Sequence, residues 1–230
     1  FKRLINKTVQ EYIKLRRLAL VTAELDKGDM RILDIALEYG FSSHANFTRA
    51  FKTAYGLTPE EYRDTRPLLN TFIKPEISMV YTMIDEGVPL LAGNMVLEIN
   101  RRTLDYPEVY LGFETKVKIE GQIPAGESTG VDIPGQLWKR YHKEKEAFAD
   151  YLNPEAELGM SYMQEPRKGE FTYFAGGLAG GAGMPEALAK QELPAGEYLV
   201  CSIEAESFEA LVTTALDQAG KYLFGTWLPH

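Results

Sequence analysis

The residues of this chain best suited to chemistry are polar side chains that follow Gly40 at spacings typical of one helix face. Arginine can donate two parallel hydrogen bonds to guanine, asparagine can pair in the same way with adenine, and serine, threonine and lysine suit phosphate oxygens. The alternative interpretation is a solvated polar helix face. The pattern predicts contact with double-stranded DNA: base edges for His44, Asn46 and Arg49, and phosphates or flanking bases for Ser43, Thr48 and Lys52.

Two short helices with a tight turn between them must position these residues. Residues 30–39 carry apolar side chains at helical spacing and end at Gly40, which predicts a helix with a glycine C-cap. Ser42 or Ser43 then caps a second helix. Ala36 suits a close crossing of the two helices. The buried stripe predicted for the second helix is Phe47, Ala50, Phe51 and Ala54, so the pair reads as a helix-turn-helix.

An internal repeat supports this interpretation, because FKRLINKTVQEY at residues 1–12 recurs in register as FKTAYGLTPEEY at residues 51–62. Both copies contain Thr-x-x-Glu, a capping box that begins a helix after a turn. A repeat at this spacing indicates a duplicated unit. We therefore expect the chain to open near the end of one unit and to contain the whole of a second.

The stretch DIALEYGFSSHANFTRAFKTAYGLTPEEYR resembles the second helix-turn-helix of the AraC family of transcription regulators. In that family a long helix joins two such units, and residues 9–25 have the length, cap and apolar content for this linker. The resemblance implies that the first recognition helix ends at residues 1–3, and that most of the first unit is absent from this sequence. It also implies a DNA-binding regulator.

Charge divides the 230-residue chain. Residues 1–66 hold 12 Lys and Arg against 9 Asp and Glu, whereas residues 67–230 hold 13 against 24. The basic part suits a duplex, and the acidic remainder would repel one. We predict a partial DNA-binding domain at residues 1–66, a proline-punctuated connector at 67–93 and a second domain at 94–230.

The single cysteine, Cys201, fits a reducing cytoplasm and is expected to be buried and inert. No apolar run suggests a membrane span.

From residue 94 onward the periodicity is that of mixed α and β structure. Strands are predicted at residues 95–100, 109–119, 158–164, 171–175 and 197–204, with helices at 133–151 and 207–224. The connector carries a short helix candidate at residues 77–84. The predicted fold class is therefore an all-α helix-turn-helix segment followed by an α+β domain of two related halves, each an antiparallel sheet with a helix.

This second part resembles the GyrI-like effector-binding domain through the segments LWKRYH, FTYFAGG, LPAGEYLV and YLFGTWLP. The resemblance implies two halves that embrace a small organic effector, either hydrophobic or cationic. Where such domains often carry a glutamate after Tyr-x-Ala-Gly, this chain has Leu178, which weakens the case for a cation. The candidate effector residues are the aromatic side chains and one acid that alternates on a predicted strand: Glu114, Trp138, Tyr162, Tyr173, Tyr198 and Trp227.

Other functions have less support in the residues. The run GGLAGGAG at residues 176–183 lacks the ending and spacing of phosphate-binding loops and predicts a mobile loop between strands. No catalytic or metal-ligand spacing stands out, so neither an enzyme nor a cofactor is expected. Two alternatives stay open, both using the cleft: a protein that binds or sequesters a small molecule and whose helix-turn-helix is only structural, or, through the GyrI-like resemblance alone, a hydrolase of strained electrophiles. A homodimer is compatible with either interpretation.

Overall fold

The computed structural model describes residues 1–119, 129–163, 169–181 and 183–230. Its contacts divide the chain into two compact units. The first contains Phe1–Asn100, Ile123–Val131 and Leu199–His230, and the second contains Arg101–Gln122 and Asp132–Tyr198. Residues 94–230 thus contribute to both units, and the division into three segments drawn from the sequence stays a prediction.

The N-terminal part of the first unit is helical. Its elements are α1 (Lys2–Ile5), α2 (Val9–Lys27), α3 (Ile32–Glu38), α4 (His44–Tyr55) and α5 (Pro59–Thr65). Helix α2 contacts α3, α4 and α5, so the long helix lies against the whole helix-turn-helix. The shared core consists of Leu18, Val21, Leu25, Ile35, Ala36, Phe47, Phe51, Tyr55 and Tyr62.

Local capping chemistry determines where these helices begin. The hydroxyls of Thr8, Ser43 and Thr58 each accept a hydrogen bond from the backbone N–H three residues later. At Thr58 the capping box is complete, because the Glu61 carboxylate accepts the Thr58 N–H at 2.7 Å. Each cap satisfies a backbone donor that a helix N-terminus would otherwise leave unpaired. Ser43, rather than Ser42, is therefore the cap of α4.

The turn between α3 and α4 depends on Gly40. Its φ of 77° is in the left-handed region that side chains with a Cβ rarely adopt. The Phe41 N–H donates to the Ala36 carbonyl at 2.9 Å, which closes the helix end. Arg17 of α2 donates to the Gly40 carbonyl at 3.0 Å, and its guanidinium covers the space that a Cβ would occupy. The turn is thus held both by its own backbone and by the long helix.

The rest of the first unit combines short strands with helical segments. Strands β1 (Leu69–Asn70) and β5 (Gly130–Val131) pair antiparallel, and a sheet of order β2-β3-β9 contains β2 (Leu90–Ala92), β3 (Met95–Leu104) and β9 (Gly196–Ala205). A 3-10 helix, Ile77–Val80, lies in the connector. The closing helical run comprises α7 (Phe208–Ala210), the π-helical Leu211–Ala215, α8 (Leu216–Tyr222) and the π-helical Leu223–Trp227. It packs on the sheet residues Met95, Leu97 and Ile99.

The second unit is a four-stranded antiparallel sheet of order β6-β7-β4-β8, covered by a helix. Its elements are β4 (Glu108–Lys118), α6 (Ile133–Glu144), β6 (Leu152–Tyr162), β7 (Glu170–Ala179) and β8 (Ala189–Leu193). A 3-10 helix, Lys145–Tyr151, connects α6 to β6. Helix α6 contacts β4 and β7, and Leu111, Phe113, Leu137 and Tyr141 form the core between helix and sheet.

Several local predictions from the sequence are corrected. The connector helix is a single 3-10 turn, and the helix predicted at residues 133–151 changes from α to 3-10 after Glu144. The glycine run does not read as a loop at its start, because Gly176 and Gly177 belong to β7, opposite Gly112 and Leu111. A Cβ on Gly176 would collide with the Leu111 carbonyl, so the close pairing requires glycine there. Gln164, the last residue of the strand predicted at 158–164, and Ala182, within the glycine run, lie outside the described residues.

Antiparallel sheets and helices therefore follow a helical N-terminal segment, as the fold class predicted from the sequence requires. Among the residues that the structure describes, no helix has both the length and the apolar character needed to cross a membrane.

Candidate functional site

Helix α4 divides into a buried face and an exposed polar face. Phe47, Phe51 and Tyr55 recur every fourth residue and pack into the helical core. Ala45, Asn46, Arg49, Lys52 and Thr53 are exposed on the other side. Because packing of the aromatic face fixes the rotation of the helix about its axis, the polar face is directed toward solvent. We call this polar face of Asn46, Arg49 and Lys52, with Ala45 and Thr53, the α4 face.

The α4 face carries the positive charge of the candidate site. Arg49 and Lys52 are one helical turn apart, so both side chains project from the same side of α4. Lys52 also lies near the start of α5. The Thr58 N–H and then the Thr58 hydroxyl lower the pKa of Glu61 below its usual value, and the charge of Lys52 adds to this effect. Lys52 therefore lies within electrostatic reach of the acid that caps α5.

The beginning of α4 is organised by hydrogen bonds among exposed side chains. The Asn46 amide donates to the Ser42 hydroxyl at 2.6 Å, while the Asn46 backbone N–H donates to the Ser43 hydroxyl at 3.2 Å. His44 Nε2 lies 3.0 Å from a carboxylate oxygen of Glu60 on α5. Ser43, His44 and Asn46 thus already have protein partners, and contact with DNA would exchange or extend these hydrogen bonds.

Thr48 differs from the other predicted DNA contacts. Its hydroxyl oxygen is buried and has no hydrogen-bond partner in the structure. Thr48 is half-buried, between the buried Phe47 and the exposed Arg49 in the sequence. That Thr48 contacts phosphate or a flanking base stays a prediction, and such a contact would require the hydroxyl to become accessible.

Helical spacing identifies two further positions that the sequence interpretation missed. Ala45 and Thr53 lie four residues on either side of Arg49 and share its exposed face. The Thr53 hydroxyl donates to the Arg49 carbonyl at 2.8 Å, and Ala45 lies two helical turns before Thr53 on the same exposed side. Small apolar groups on a recognition helix suit the methyl group of thymine. The sequence signal for these two positions is their spacing of four residues from Arg49.

A second cluster of polar side chains lies on the four-stranded sheet of the second unit. The Tyr162 hydroxyl donates to Glu114 Oε1 at 2.5 Å, and the Gln191 amide donates to the same oxygen at 2.6 Å and lies 2.8 Å from the Tyr162 hydroxyl. Three strands, β6, β4 and β8, contribute one residue each. This group, the Glu114 cluster, holds a carboxylate in a fixed orientation between two donors. Gln191 has no signal in the sequence because β8 was not predicted.

The other predicted effector residues do not join the Glu114 cluster. Trp138 Nε1 donates to the Tyr173 hydroxyl at 3.0 Å, and both side chains cover Gly159 on the side of the sheet that faces α6. Tyr173 is opposite Thr115 in the register, and Glu114 is the next residue along β4. Since side chains alternate along a strand, Glu114 and Tyr173 point to opposite faces of the sheet.

Tyr198 and Trp227 lie elsewhere again. The Tyr198 hydroxyl, on β9, donates to the carbonyl of Pro194, which follows β8, at 2.7 Å, and Trp227 Nε1, in the first unit, donates to the Ile84 carbonyl at 3.0 Å. Trp227 packs against the core of its unit. Among the contacts that the structure describes, Tyr162 is thus the candidate aromatic residue that hydrogen-bonds to Glu114, and the effector role of all six candidates stays a prediction.

The ionisable groups near these clusters reflect burial more than activation. Burial raises the pKa of the Tyr173 hydroxyl above its usual value, and the Trp138 N–H opposes this change. Burial likewise raises the pKa of the Cys201 thiol, which is half-buried and less reactive for that reason. In the described ranges of the chain, no group of three or more His, Cys, Asp or Glu residues could hold a metal ion.

Comparison with known proteins places the N-terminal part in a recognised class. Residues 1–65 match a family model described as a helix-turn-helix domain. Over 64 residues the chain is 47% identical to the probable transcription factor PqrA of Proteus vulgaris. The matched stretch is 28% of this chain and 52% of that protein. Over 63 residues the chain is 38% identical to the regulatory protein SoxS of Salmonella typhimurium, covering 27% and 59%.

A similar stretch occurs in a longer relative. The chain is 48% identical over 63 residues to the uncharacterized HTH-type transcriptional regulator YbfP of Bacillus subtilis, covering 27% of this chain and 21% of that protein. The chain thus matches less than two thirds of the length of each of these relatives. The part of the chain that matches the family model, residues 1–65, is a helix-turn-helix domain.

Proposed function

We propose that this chain is a transcription regulator whose helix α4 enters the major groove of double-stranded DNA. The observation that carries the proposal is the α4 face, where Asn46, Arg49 and Lys52 are exposed while Phe47 and Phe51 anchor the opposite side. The major groove admits an α-helix and displays a distinct donor and acceptor pattern for each base pair. A helix of 12 residues with a rigid core behind it can present its side chains to that pattern.

Three side chains receive roles from their types and positions. Arg49 pairs with a guanine and Asn46 with an adenine, once the Asn46 amide exchanges its bond to Ser42 for one to the base. Lys52 binds phosphate. At the N-terminus of α4, where the positive end of the helix dipole favours a phosphate, Ser43 also binds phosphate, and His44 contacts a base edge. The names of the matched relatives, a probable transcription factor and a regulatory protein, support the same function.

Selection of bound duplexes from a random library, followed by titration of the selected and scrambled sequences over a salt series, tests this function. We expect a preference of roughly a thousandfold or more for the selected duplex, with both affinities falling as salt rises. The matched control is Arg31→Ala, since Arg31 is an exposed arginine paired with Asp34 outside the α4 face. Failure to enrich any sequence, with the control and the unaltered chain behaving alike, would count against the proposal.

The Glu114 cluster supports a second function, the binding of a small organic cation as effector. A carboxylate held by Tyr162 and Gln191 offers a negative charge beside an aromatic ring, the combination that recognises ammonium groups. The implied GyrI-like character of residues 94–230 remains part of this proposal. A ligand can control DNA binding only if it distinguishes two states of the protein.

Titration with benzyltrimethylammonium and with its neutral analogue, in which carbon replaces nitrogen, tests the effector site. We expect the cation to bind at least tenfold more tightly than the neutral analogue, and Glu114→Gln to remove that difference. Glu192→Gln is the control, because Glu192 is an exposed acid on neighbouring β8 that lies 3.6 Å from Lys190. Equal affinity for cation and neutral analogue in the unaltered chain would exclude a cation-selective site. Ligand binding without any DNA preference would favour a sequestering protein instead.

A further inference from the structure

The closing helical run of the first unit carries an exposed row of apolar side chains at every fourth position. This apolar row consists of Phe208, Val212, Leu216, Gly220, Phe224 and Leu228. Its five larger members are exposed to 73%, 47%, 50%, 62% and 48%, respectively. Single exposed apolar residues are ordinary on protein surfaces, but a continuous row of them marks an interaction surface.

Alternation of helix types keeps this row straight. In an α-helix of 3.6 residues per turn, a step of four residues rotates forward by about 40°. A π-helix has more residues per turn, so the same step rotates backward by roughly 30°. The run alternates between α-helical Leu216–Tyr222 and π-helical Leu211–Ala215 and Leu223–Trp227. The two rotations offset each other, and positions four residues apart stay on one face over the whole run.

The neighbouring rows show that the apolar row is not a by-product of core packing. Residues Leu211, Ala215, Ala219, Leu223 and Trp227, also four apart, pack on the core of the first unit. On the other side of the apolar row lie the polar residues Glu209, Thr213, Asp217 and Lys221. The core side of the helix is therefore already occupied by a separate row. Of the two rows that face outward, one is polar, as solvent requires, and the other is apolar throughout.

We propose that a second copy of this chain covers the apolar row. The two helices are antiparallel, and the two-fold axis crosses the apolar row at the level of position 218, midway between Leu216 and Gly220. Such an axis places Leu216 against Gly220 of the other copy, Val212 against Phe224, and Phe208 against Leu228. Larger side chains thus meet smaller ones at the first two levels. A Cβ on Gly220 would meet nothing within 4 Å, so the space above Gly220 is open to receive Leu216. A two-fold interface must be self-complementary, and this row meets that requirement because Leu216 of each copy faces the open space at Gly220 of the other.

The area available fits a dimer of moderate strength. Taking the exposed fractions of the five larger side chains, the row offers roughly 500 Å² of apolar surface per copy, with aromatic side chains contributing most. A stable interface buries about 800 Å² per partner. The polar row alongside, with Thr213 and its neighbours, can supply the remainder as a hydrated rim. The inference does not depend on the proposed DNA binding and is tested without DNA.

Sedimentation equilibrium of the 230-residue chain over a concentration series tests the interface. We expect a monomer–dimer equilibrium, and we expect Leu216→Glu to raise the dissociation constant at least tenfold, because it places a carboxylate opposite Gly220 of the second copy. Leu91→Glu is the matched control, because Leu91 is 75% exposed on β2 and lies outside both rows, and it should leave the equilibrium nearly unchanged. A chain that stays monomeric at about 100 μM, or a dimer that Leu216→Glu does not weaken, would overturn the proposal.

Disulfide trapping tests the direction of the two helices. Single variants Leu216→Cys and Gly220→Cys are oxidised separately and as a mixture, with the unaltered chain reporting any contribution of Cys201. The antiparallel arrangement predicts that the mixture cross-links several-fold faster than either variant alone, because position 216 faces position 220 of the other copy. Faster cross-linking of each variant with itself would show a parallel arrangement and contradict the proposed axis.

Discussion

Arg49 carries the most specific prediction at the scale of single residues. We expect Arg49→Ala to weaken binding of the selected duplex by about 1 to 3 kcal/mol and to relax the preference at one base pair, because a bidentate contact with guanine is lost. Its exposure and distance from the helical core mean that folding should be unaffected. Titration against duplexes that vary one base pair at a time measures both effects. An unchanged preference would show that Arg49 does not read a base.

Lys52 should behave differently although it lies on the same face. We expect Lys52→Ala to weaken binding to selected and scrambled duplexes by similar factors and to reduce the slope of log affinity against log salt by about 1. The reason is that a lysine bound to phosphate releases one counterion but reads no base. The salt series that defines the unaltered chain supplies the measurement. A loss confined to the selected duplex would move Lys52 from the phosphates to the bases.

Residue types and spacing predicted most of the α4 face but not its hydrogen bonds. Arg49, Asn46 and Lys52 are exposed because Phe47 and Phe51 determine the rotation of the helix, and that rotation is visible in the sequence. The burial of the Thr48 hydroxyl cannot be seen in the sequence, because it depends on the conformation of the side chain and on its neighbours in the fold. The contact between His44 and Glu60 joins two helices across a turn and likewise has no local signature.

At the scale of secondary-structure elements, the helix starts were predictable because capping is local. The cap at Thr8, like those at Ser43 and Thr58, needs only a hydroxyl and a backbone N–H three residues later. Strand β8, with sequence AKQEL, escaped prediction because it contains few residues of high β propensity. Its pairing with β4, more than 70 residues away in the sequence, is what makes it a strand.

The turn between α3 and α4 gives a prediction for stability. We expect Gly40→Ala to lower the free energy of unfolding by about 1 to 2 kcal/mol, because a Cβ at φ of 77° is strained. A further loss should come from displacing Arg17, whose guanidinium carbon lies 3.1 Å from the position of that Cβ. Denaturant unfolding of the chain measures the change.

A second glycine separates the two contributions. Gly56 has a φ of 82°, close to that of Gly40, but a Cβ there would meet nothing within 4 Å. Gly56→Ala should therefore show the backbone strain alone and destabilise the protein less than Gly40→Ala. Equal losses for the two variants would mean that the contact between Arg17 and the turn contributes little.

At the scale of the whole molecule, the sequence could not show which of the candidate effector residues lie together. The residue types of Trp138, Tyr173, Glu114 and Tyr162 were suited to a cage. The register of β4 with β7, however, sends Glu114 and Tyr173 to opposite faces of one sheet. A strand's register depends on pairing along its whole length, and a shift of one residue would exchange the two faces. Aromatic residues that share a domain therefore need not share a site.

The division of charge gives the last prediction, because it acts over the whole chain rather than at one contact. Residues 67–230 carry 24 acidic residues against 13 basic ones, and this excess opposes the approach of any duplex. We expect the triple substitution Glu186→Gln, Glu204→Gln and Glu206→Gln, at exposed acids, to raise affinity a few-fold for selected and scrambled DNA alike at about 0.05 M salt. The gain should disappear above roughly 0.3 M salt, where the screening length is short. An increase limited to the selected duplex, or one that persists at high salt, would mean that these acids act through local contacts and not through the field of the molecule.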